Sequence, residues 1–344
     1  MSPPFGVALV GLGMAVAPHA AALADLRGRV TVHHAWSPSA ARRAAFHAAH
    51  GFPVADDLET LLADEQVEAV VLLSPPDTHL DLVRRIVAAG KHVLMEKPLA
   101  ADPADAEALV AHCRAAGRTL GLVLQHRFRP SAERLGELLG AGALGTVVGA
   151  GAVIRLWRPQ SYYDQPGRGR RARDGGGVLL TQGIHTLDLL LALAGPADRV
   201  TGFAVTSAVH RMETEDLVAA AVRFRSGAVG TIDATTAAFP GQPERIEIVG
   251  TLGTATLAGT TLDVRWQDGR SERLDGAGGP GGSGADPMAF PHDWHRALIA
   301  DFVDAVRTGR PPRADGAAGL AVHDLIGAIL DSAAREAPVE VRRR

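Results

Sequence analysis

Sulfur chemistry is nearly missing from this chain, because its 344 residues include a single cysteine, Cys113. One thiol closes no disulfide within the chain and builds no Cys-based zinc cage. Lysine is almost as scarce: among 35 basic side chains only Lys91 and Lys97 are lysine. Neither a charged leader with an apolar middle nor an apolar run of bilayer length is read in the chain. A cytoplasmic protein without a membrane partner is therefore expected. The formal charge of -3 offers no bulk attraction for nucleic acid or a membrane surface. What remains, 47% hydrophobic and 21% charged, is the composition of a globular enzyme long enough for two domains.

Against that background Lys97 stands out. It follows the apolar run Val93-Leu94-Met95, which reads as a buried strand, and is flanked by Glu96 and Pro98. An ammonium is a compact charge with a movable pKa, unlike the planar guanidinium used elsewhere in the chain. Pro98 locks φ and makes a cis peptide accessible, which would aim the preceding side chain into a cleft. A strand end carrying a surface ion pair is the plainer reading of the same tripeptide.

The chain opens with a strand, Phe5 to Val10, then Gly11-Leu12-Gly13-Met14, then a helix from Ala15 to Leu26. The first glycine makes the turn, the second admits a pyrophosphate to the backbone, and the helix N-terminus faces the anion. Val16 occupies the third glycine position of this fingerprint. At the tip of the second strand, where an acid would hold the ribose 2′-hydroxyl of NAD, stands Ser37, with Arg42 and Arg43 a turn later. The missing carboxylate allows NADP, does not exclude NAD, and tips the expectation toward NADP.

Ser74-Pro75-Pro76-Asp77-Thr78-His79 forms a loop at the end of the strand Val67 to Leu73, with Asp77 or Thr78 as helix cap and His79 packing locally. Strand and helix alternation up to Leu124 suggests about six parallel strands in a doubly wound sheet. From Gln125 the pattern changes. A helix to about Gly140 precedes long alternating strands, and those from Arg199 to Leu274 follow one another as in an antiparallel sheet. Asp275 to Pro287, rich in Gly and Pro, reads as a mobile loop. Two helices, Trp294 to Thr308 and Ala314 to Arg335, close the chain.

Between the strands of the second half lies Asp174-Gly175-Gly176-Gly177, then a helical stretch with Thr181, His185 and Asp188 at i, i+4 and i+7. Three polar groups on one face of an apolar helix are costly to bury without partners, so that face is expected to line a cleft or meet water. His185 is the natural proton acceptor there.

Taken together, these stretches resemble the Gfo/Idh/MocA family of oxidoreductases, which includes inositol, glucose and sugar-nucleotide dehydrogenases. The resemblance runs from Gly11-Leu12-Gly13 through Glu96-Lys97-Pro98, Gly175-Gly176-Gly177 and Gly183-Ile184-His185 to Asp301-Phe302 and Gly309-Arg310-Pro311-Pro312. It implies an α/β Rossmann doubly wound parallel sheet in residues 1–124. An α+β domain with an open, mainly antiparallel sheet follows in 125–344, binding substrate and carrying oligomer contacts, with closing helices able to pack back on the first domain. It further implies hydride transfer between a nicotinamide and a hydroxyl carbon of a sugar, polyol or sugar derivative. Lys97 and His185 would be catalytic. Gly11, Gly13, Met14, Ser37, Arg42, Ser74, Pro75, His79, Glu96 and Lys97 would bind NAD or NADP. Arg127, Tyr163, Arg168 and Thr181 would join Lys97 and His185 around a small sugar-like substrate.

Tyr162, His292 and His295 are further candidate contacts. His292 and His295 hint at a metal, but with no third ligand nearby in sequence none is expected. A homodimer or homotetramer is anticipated. Thr181 replaces an aspartate common in the family, leaving His185 to act alone, through Asp188 or through water. The arginines Arg168, Arg170, Arg171 and Arg173 could seat an anion or simply face solvent. A non-catalytic dinucleotide sensor, or an enzyme with transient redox and no net cofactor turnover, would carry the same motifs.

Overall fold

The computed structural model describes residues 3–276 and 291–344. The chain divides into two compact units, Met1–Gln125 with Pro291–Gly319, and His126–Phe290 with Leu320–Arg344.

In the first unit, five apolar runs form a parallel sheet: β1 (Phe5–Val10), β2 (Val30–Trp36), β3 (Ala69–Leu72), β4 (His92–Met95) and β5 (Leu120–Leu122), in the order β2-β1-β3-β4-β5. Every residue of β1 and β3 is buried, as expected where helices cover both faces. The sequence suggested about six strands; five repeats exhaust the apolar runs before the pattern breaks at Gln125, so Lys97 follows the fourth strand.

The intervening helices are α1 (Val16–Asp25), α2 (Ala40–His50), α3 (Leu58–Ala63), α4 (His79–Ala88) and α5 (Pro103–Ala115). Three have side-chain caps: Ser39 accepts from the Arg42 amide, Asp57 from Thr60 and Asp102 from Ala104. Neither Asp77 nor Thr78 caps α4. A short 3-10 turn, Pro76–Thr78, precedes it, and the Thr78 hydroxyl turns back to Ser74 Oγ and the Pro75 carbonyl.

A later helix, Asp293–Thr308 (α10 in chain order), completes this unit. It lays Phe302 on Gly121 of β5, where an added Cβ would stand 2.7 Å from the Phe302 ring.

The second unit holds a nine-stranded sheet. In chain order its strands are β6 (Val147–Arg155), β7 (Ala197–Val205), β8 (Leu217–Phe224), β9 (Val229–Thr235), β10 (Arg245–Gly250), β11 (Gly253–Ala258), β12 (Thr261–Trp266), β13 (Ser271–Leu274) and β14 (Val339–Glu340). All neighbours are antiparallel except β6 and β9. Strict alternation in β8 and β10 puts Val218, Val222, Phe224, Ile246 and Ile248 inside.

The helices of this unit are α6 (Pro130–Gly140), the single turns α7 (Gln160–Tyr163) and α8 (Arg171–Asp174), and α9 (Ile184–Ala194). Helices α6 and α9 pack on the sheet. Phe203, Val205, Leu217, Val229 and Val249 alternate with the inward residues and are exposed. The last helix, α11 (Gly316–Arg335), runs from the first unit into the second.

Two helical stretches, Arg171–Ala194 and Gly316–Arg335, are long and apolar enough by composition to cross a membrane, contrary to the sequence expectation. Packing accounts for their apolar character: Leu187, Leu190, Val322, Leu325 and Ile329 are buried inside the structure. Of the segment expected to be a mobile loop, the residues from 277 to 287 lie outside the described residues.

Glycine is obligatory early in β1. A Cβ on Gly6 would fall 1.7 Å from the Gln66 carbonyl oxygen, an overlap with backbone that no rotamer relieves. Gly6→Ala should therefore destabilise the protein by about 2 kcal/mol, seen as a lower urea midpoint at unchanged slope.

Candidate active site

The first unit supplies the loops at the carboxyl ends of its strands. Gly11 has φ +100°, and a Cβ there would stand 2.6 Å from the Leu73 carbonyl carbon, so both conformation and space demand glycine. Around Gly13 an added Cβ would meet nothing within 4 Å, which leaves the backbone open to a ligand. Ala15 precedes α1 without a side-chain cap, so the first amides of the helix keep their capacity to bind an anion. Val16, in place of the third glycine, is half-buried, and Met14 is exposed. A pyrophosphate fits this cradle.

At the tip of β2 the Ser37 side chain is buried, with its Oγ 3.4 Å from the Ser39 amide. Arg43 donates to the Ser37 carbonyl at 2.8 Å and reaches Asp56 at 3.6 Å, while Arg42 stands exposed on α2. Ser74 is half-buried and Pro75 exposed on the next loop.

His79, expected at the cofactor, is fully buried instead. Its Nδ1 faces the carbonyls of Pro98 and Leu99 at 3.1 and 3.0 Å, and its Nε2 that of Ser74 at 2.9 Å. Burial pushes its pKa below the usual histidine value despite the opposing pull of these carbonyls. It packs between the Ser74 loop and the Lys97 loop, where the single N–H of a neutral ring donates to the carbonyls on one side.

Beyond β4, the Lys97–Pro98 peptide is cis. Glu96 Oε2 accepts the Lys97 amide at 3.2 Å, and Glu96 Oε1 lies 2.9 Å from His19 Nε2. Burial would raise the pKa of this carboxyl. His19, Lys97 and His295 outweigh that and hold it at about 2.

His295, from α10, is buried with its ring edge-on to His19 at 4.8 Å. Burial, with His19 adding to it, lowers the His295 pKa to about 3, so the ring is neutral. His19, Glu96 and His295 thus bring together the third donor that the sequence did not place near His295. Their donor atoms all lie within 4.8 Å of one another. Within the set His19 bonds Glu96, and His295 packs edge-on against His19. His292 bonds Asp25 at 2.9 Å instead.

In the second unit the glycine run is explained by Glu215. Its buried carboxylate accepts the Gly177 amide at 3.0 Å and the Leu179 amide at 3.3 Å, and a Cβ on Gly177 would lie 1.8 Å from the Glu215 carbonyl oxygen. A π-helical turn, Leu179–Gly183, leads into α9 and changes the expected register of the polar face. Thr181 and His185 are half-buried, but Asp188 is buried and grips Arg127 through two bonds of 2.7 and 2.6 Å. Arg127 is thereby anchored by Asp188. The Thr181 hydroxyl donates to the Gly177 carbonyl at 2.7 Å.

Against His185 lies His126, whose ring is 5.0 Å away at a tilt of 33°. Arg129 meets His126 Nε2 at 2.6 Å and also pairs with the buried Glu244. Tyr163 is likewise committed: its buried hydroxyl bonds Thr236 Oγ1 at 2.7 Å, and burial raises its pKa. Tyr162 is the more exposed of the pair, with the Arg168 guanidinium 5.0 Å from its ring.

Three residues central to these arrangements, His19, His126 and Glu215, were not singled out from sequence. For His19 a signal existed, since it shares the inner face of α1 with Ala22 and Leu23. Nothing in local spacing marks Glu215.

Residues 5–123 match the family model described as an oxidoreductase family with an NAD-binding Rossmann fold, and residues 132–256 match the GFO/IDH/MocA C-terminal domain. Inositol 2-dehydrogenase 1 of Saccharopolyspora erythraea is 31% identical over 299 residues, covering 82% of this chain and 79% of that protein. D-xylose 1-dehydrogenase (NADP(+)) 2 of Haloferax volcanii is 28% identical, covering 85% and 86%. The crystal structure of the WlbA dehydrogenase from Bordetella pertussis in complex with NADH and UDP-GlcNAcA has a TM-score of 0.84 and 28% identity, covering 99% of this chain and 100% of that one.

The buried titratable groups set the acid response. Below the ordinary histidine pKa of 6.5 an unfolded chain protonates His295 while the folded one, near 3, does not. Stability is therefore complete above 6.5 and falls with pH; below 4.5 Glu96 adds to the loss, because its folded value is near 2. The urea midpoint should drop between pH 7 and pH 5. His295→Gln should reduce that drop, the remainder belonging to His79, His92 and His323.

Proposed function

The chain belongs to the Gfo/Idh/MocA family of oxidoreductases, and from that premise we propose that it moves a hydride between a nicotinamide and the carbinol carbon of a sugar, polyol or sugar derivative. The observation that carries this reading is the end of β4, where Lys97 follows a carboxylate that pairs with His19 on one oxygen and accepts the Lys97 backbone amide on the other. A bound nicotinamide would supply C4 as hydride acceptor or donor. Gly11, Gly13 and the open start of α1 would hold its pyrophosphate, and Ser74 and Pro75 would face the same ligand. In the oxidative direction His185 takes the hydroxyl proton. The Lys97 ammonium stabilises the alkoxide as it develops.

Glu96, bonded to His19 and ionised far below neutral pH, orients Lys97 and is not the base. His126 supports the His185 ring from the side, in place of the carboxylate that Thr181 does not provide. Tyr162 and Arg168 offer an aromatic and cationic rim for the substrate. NADP is the favoured cofactor: no acid stands at the tip of β2, and Arg42 is exposed a turn beyond it. The chain acts as a homodimer or homotetramer through the exposed apolar face around Phe203 and Leu217.

Fluorescence titration of cofactor-stripped protein with NADPH and NADH should show tighter binding of NADPH. Turnover on a sugar and polyol panel should then fall about 100-fold or more in Lys97→Ala, with the cofactor Kd within about twofold of wild type. Equal loss of binding and turnover would make Lys97 structural, and cofactor binding without turnover on any substrate would leave a sensor. Light scattering of the purified protein should give the mass of two or four chains, and a monomer would refute the assembly.

A further inference from the structure

We propose that His19 is a positioning residue for hydride transfer: through Glu96 it ties helix α1, and with it the glycine loop, to the backbone of Lys97. The proposal rests on the reading of Lys97 as the group that stabilises the alkoxide. His19 is fully buried four residues past the start of the loop-to-helix transition at Ala15, and its Nε2 meets Glu96 Oε1 at 2.9 Å. The other oxygen of the same carboxylate holds the Lys97 amide. One carboxylate thus spans from the dinucleotide-binding helix to the residue that meets the substrate.

The surroundings permit little else. His295 lies edge-on to the His19 ring at an interplanar angle of 83° and limits its rotation. Because His295 is neutral, it does not compete as a cation for Glu96. The charged and titratable groups around Glu96 are His19 from α1, Lys97 from its own loop, His295 from α10 and His79 from α4. Without His19, Oε1 loses its donor, and the Lys97 ammonium is the cation left to draw it. A shift of that kind moves the ammonium, and a misplacement of about 1 Å can cost on the order of 100-fold in rate.

The test compares wild type with His19→Ala and His19→Gln. The glutamine amide nitrogen lies three bonds from Cβ, as Nε2 of histidine does, and restores the donor. Beside kcat, KM and cofactor Kd, the rate of acetylation by acetic anhydride is read at Lys97 against Lys91 by mass spectrometry. Lys91 is the only other lysine and is buried with its Nζ on the Asp64 carbonyl, so it serves as the internal reference.

We expect His19→Ala to lower kcat about tenfold or more with the cofactor Kd within about twofold. Labelling of Lys97 relative to Lys91 should slow about three- to tenfold, as a released carboxylate favours the ammonium. His19→Gln should recover most of both. Where His19→Ala does not fold, His19→Asn replaces it, its amide being too short to reach Oε1. An unchanged kcat and labelling ratio in the folded variant overturns the proposal. So does a glutamine variant that loses as much as alanine, with melting temperature and cofactor binding falling in parallel. If wild type turns over no sugar or polyol the hydride-transfer reading fails, while the labelling ratio still decides whether the clamp exists.

Discussion

An ionised carboxylate at the end of a buried strand must be satisfied by protein groups, and the arrangement of the first unit follows from how Glu96 is satisfied. Burial alone would push this group toward its neutral form, yet it is held at about 2. The work is done by the His19 hydrogen bond and charge first, with the charges of Lys97 and His295 adding to it. From the far side, His79 grips the Pro98 and Leu99 carbonyls and links them to Ser74. The segment carrying Lys97 is therefore braced by two buried histidines, one from the glycine-loop helix and one from the helix after β3. Precision at a reacting atom comes from supports of this kind more than from the reacting residue itself.

The second unit uses the same economy of paired buried charge around His185. Asp188 is the obvious carboxylate partner by spacing, but Arg127 takes both of its oxygens. Removing either member would strand a buried charge, which is costlier than the pair is worth. His185 is accompanied by His126, which leans on Arg129 and Glu244. Thr181, where the family commonly has an acid, closes a bond to its own helix. A second imidazole thus lies against the ring of His185.

Much of the fold was legible in the sequence because it rests on periodicity. The all-apolar runs of β1 and β3 and the alternation of β8 and β10 are the two patterns that separate a sheet covered on both faces from one covered on a single face. Gly11, Gly13, Lys97 and His185 could be named because loop chemistry and residue scarcity are local signals. Partnerships were not legible. Arg127 and Asp188 are 61 residues apart, and His19 and Glu96 are 77 apart, so nothing in a window of sequence tells a committed guanidinium or hydroxyl from an available one. The hydroxyl of Tyr163 and the guanidinium of Arg127 are such cases, whereas the local packing of His79 was readable from its loop. The π-helical turn before α9 displaced a helical face that simple i, i+4 counting had drawn straight.

The first unit is discontinuous in the chain, and that has a consequence for its birth on the ribosome. All five strands of its sheet have been made by Leu122, but Phe302, which covers Gly121, and His295, which confines His19, are synthesised more than 170 residues later. Until then the nascent sheet lacks a helix of its own core, and the second unit's strands emerge while that face is uncovered. Closure across so long a separation is slow relative to local helix and turn formation. The dinucleotide half of the molecule, although encoded first, is completed only after every strand of the second unit but β14 has been made, which makes the segment Pro291–Gly319 a gatekeeper of its maturation.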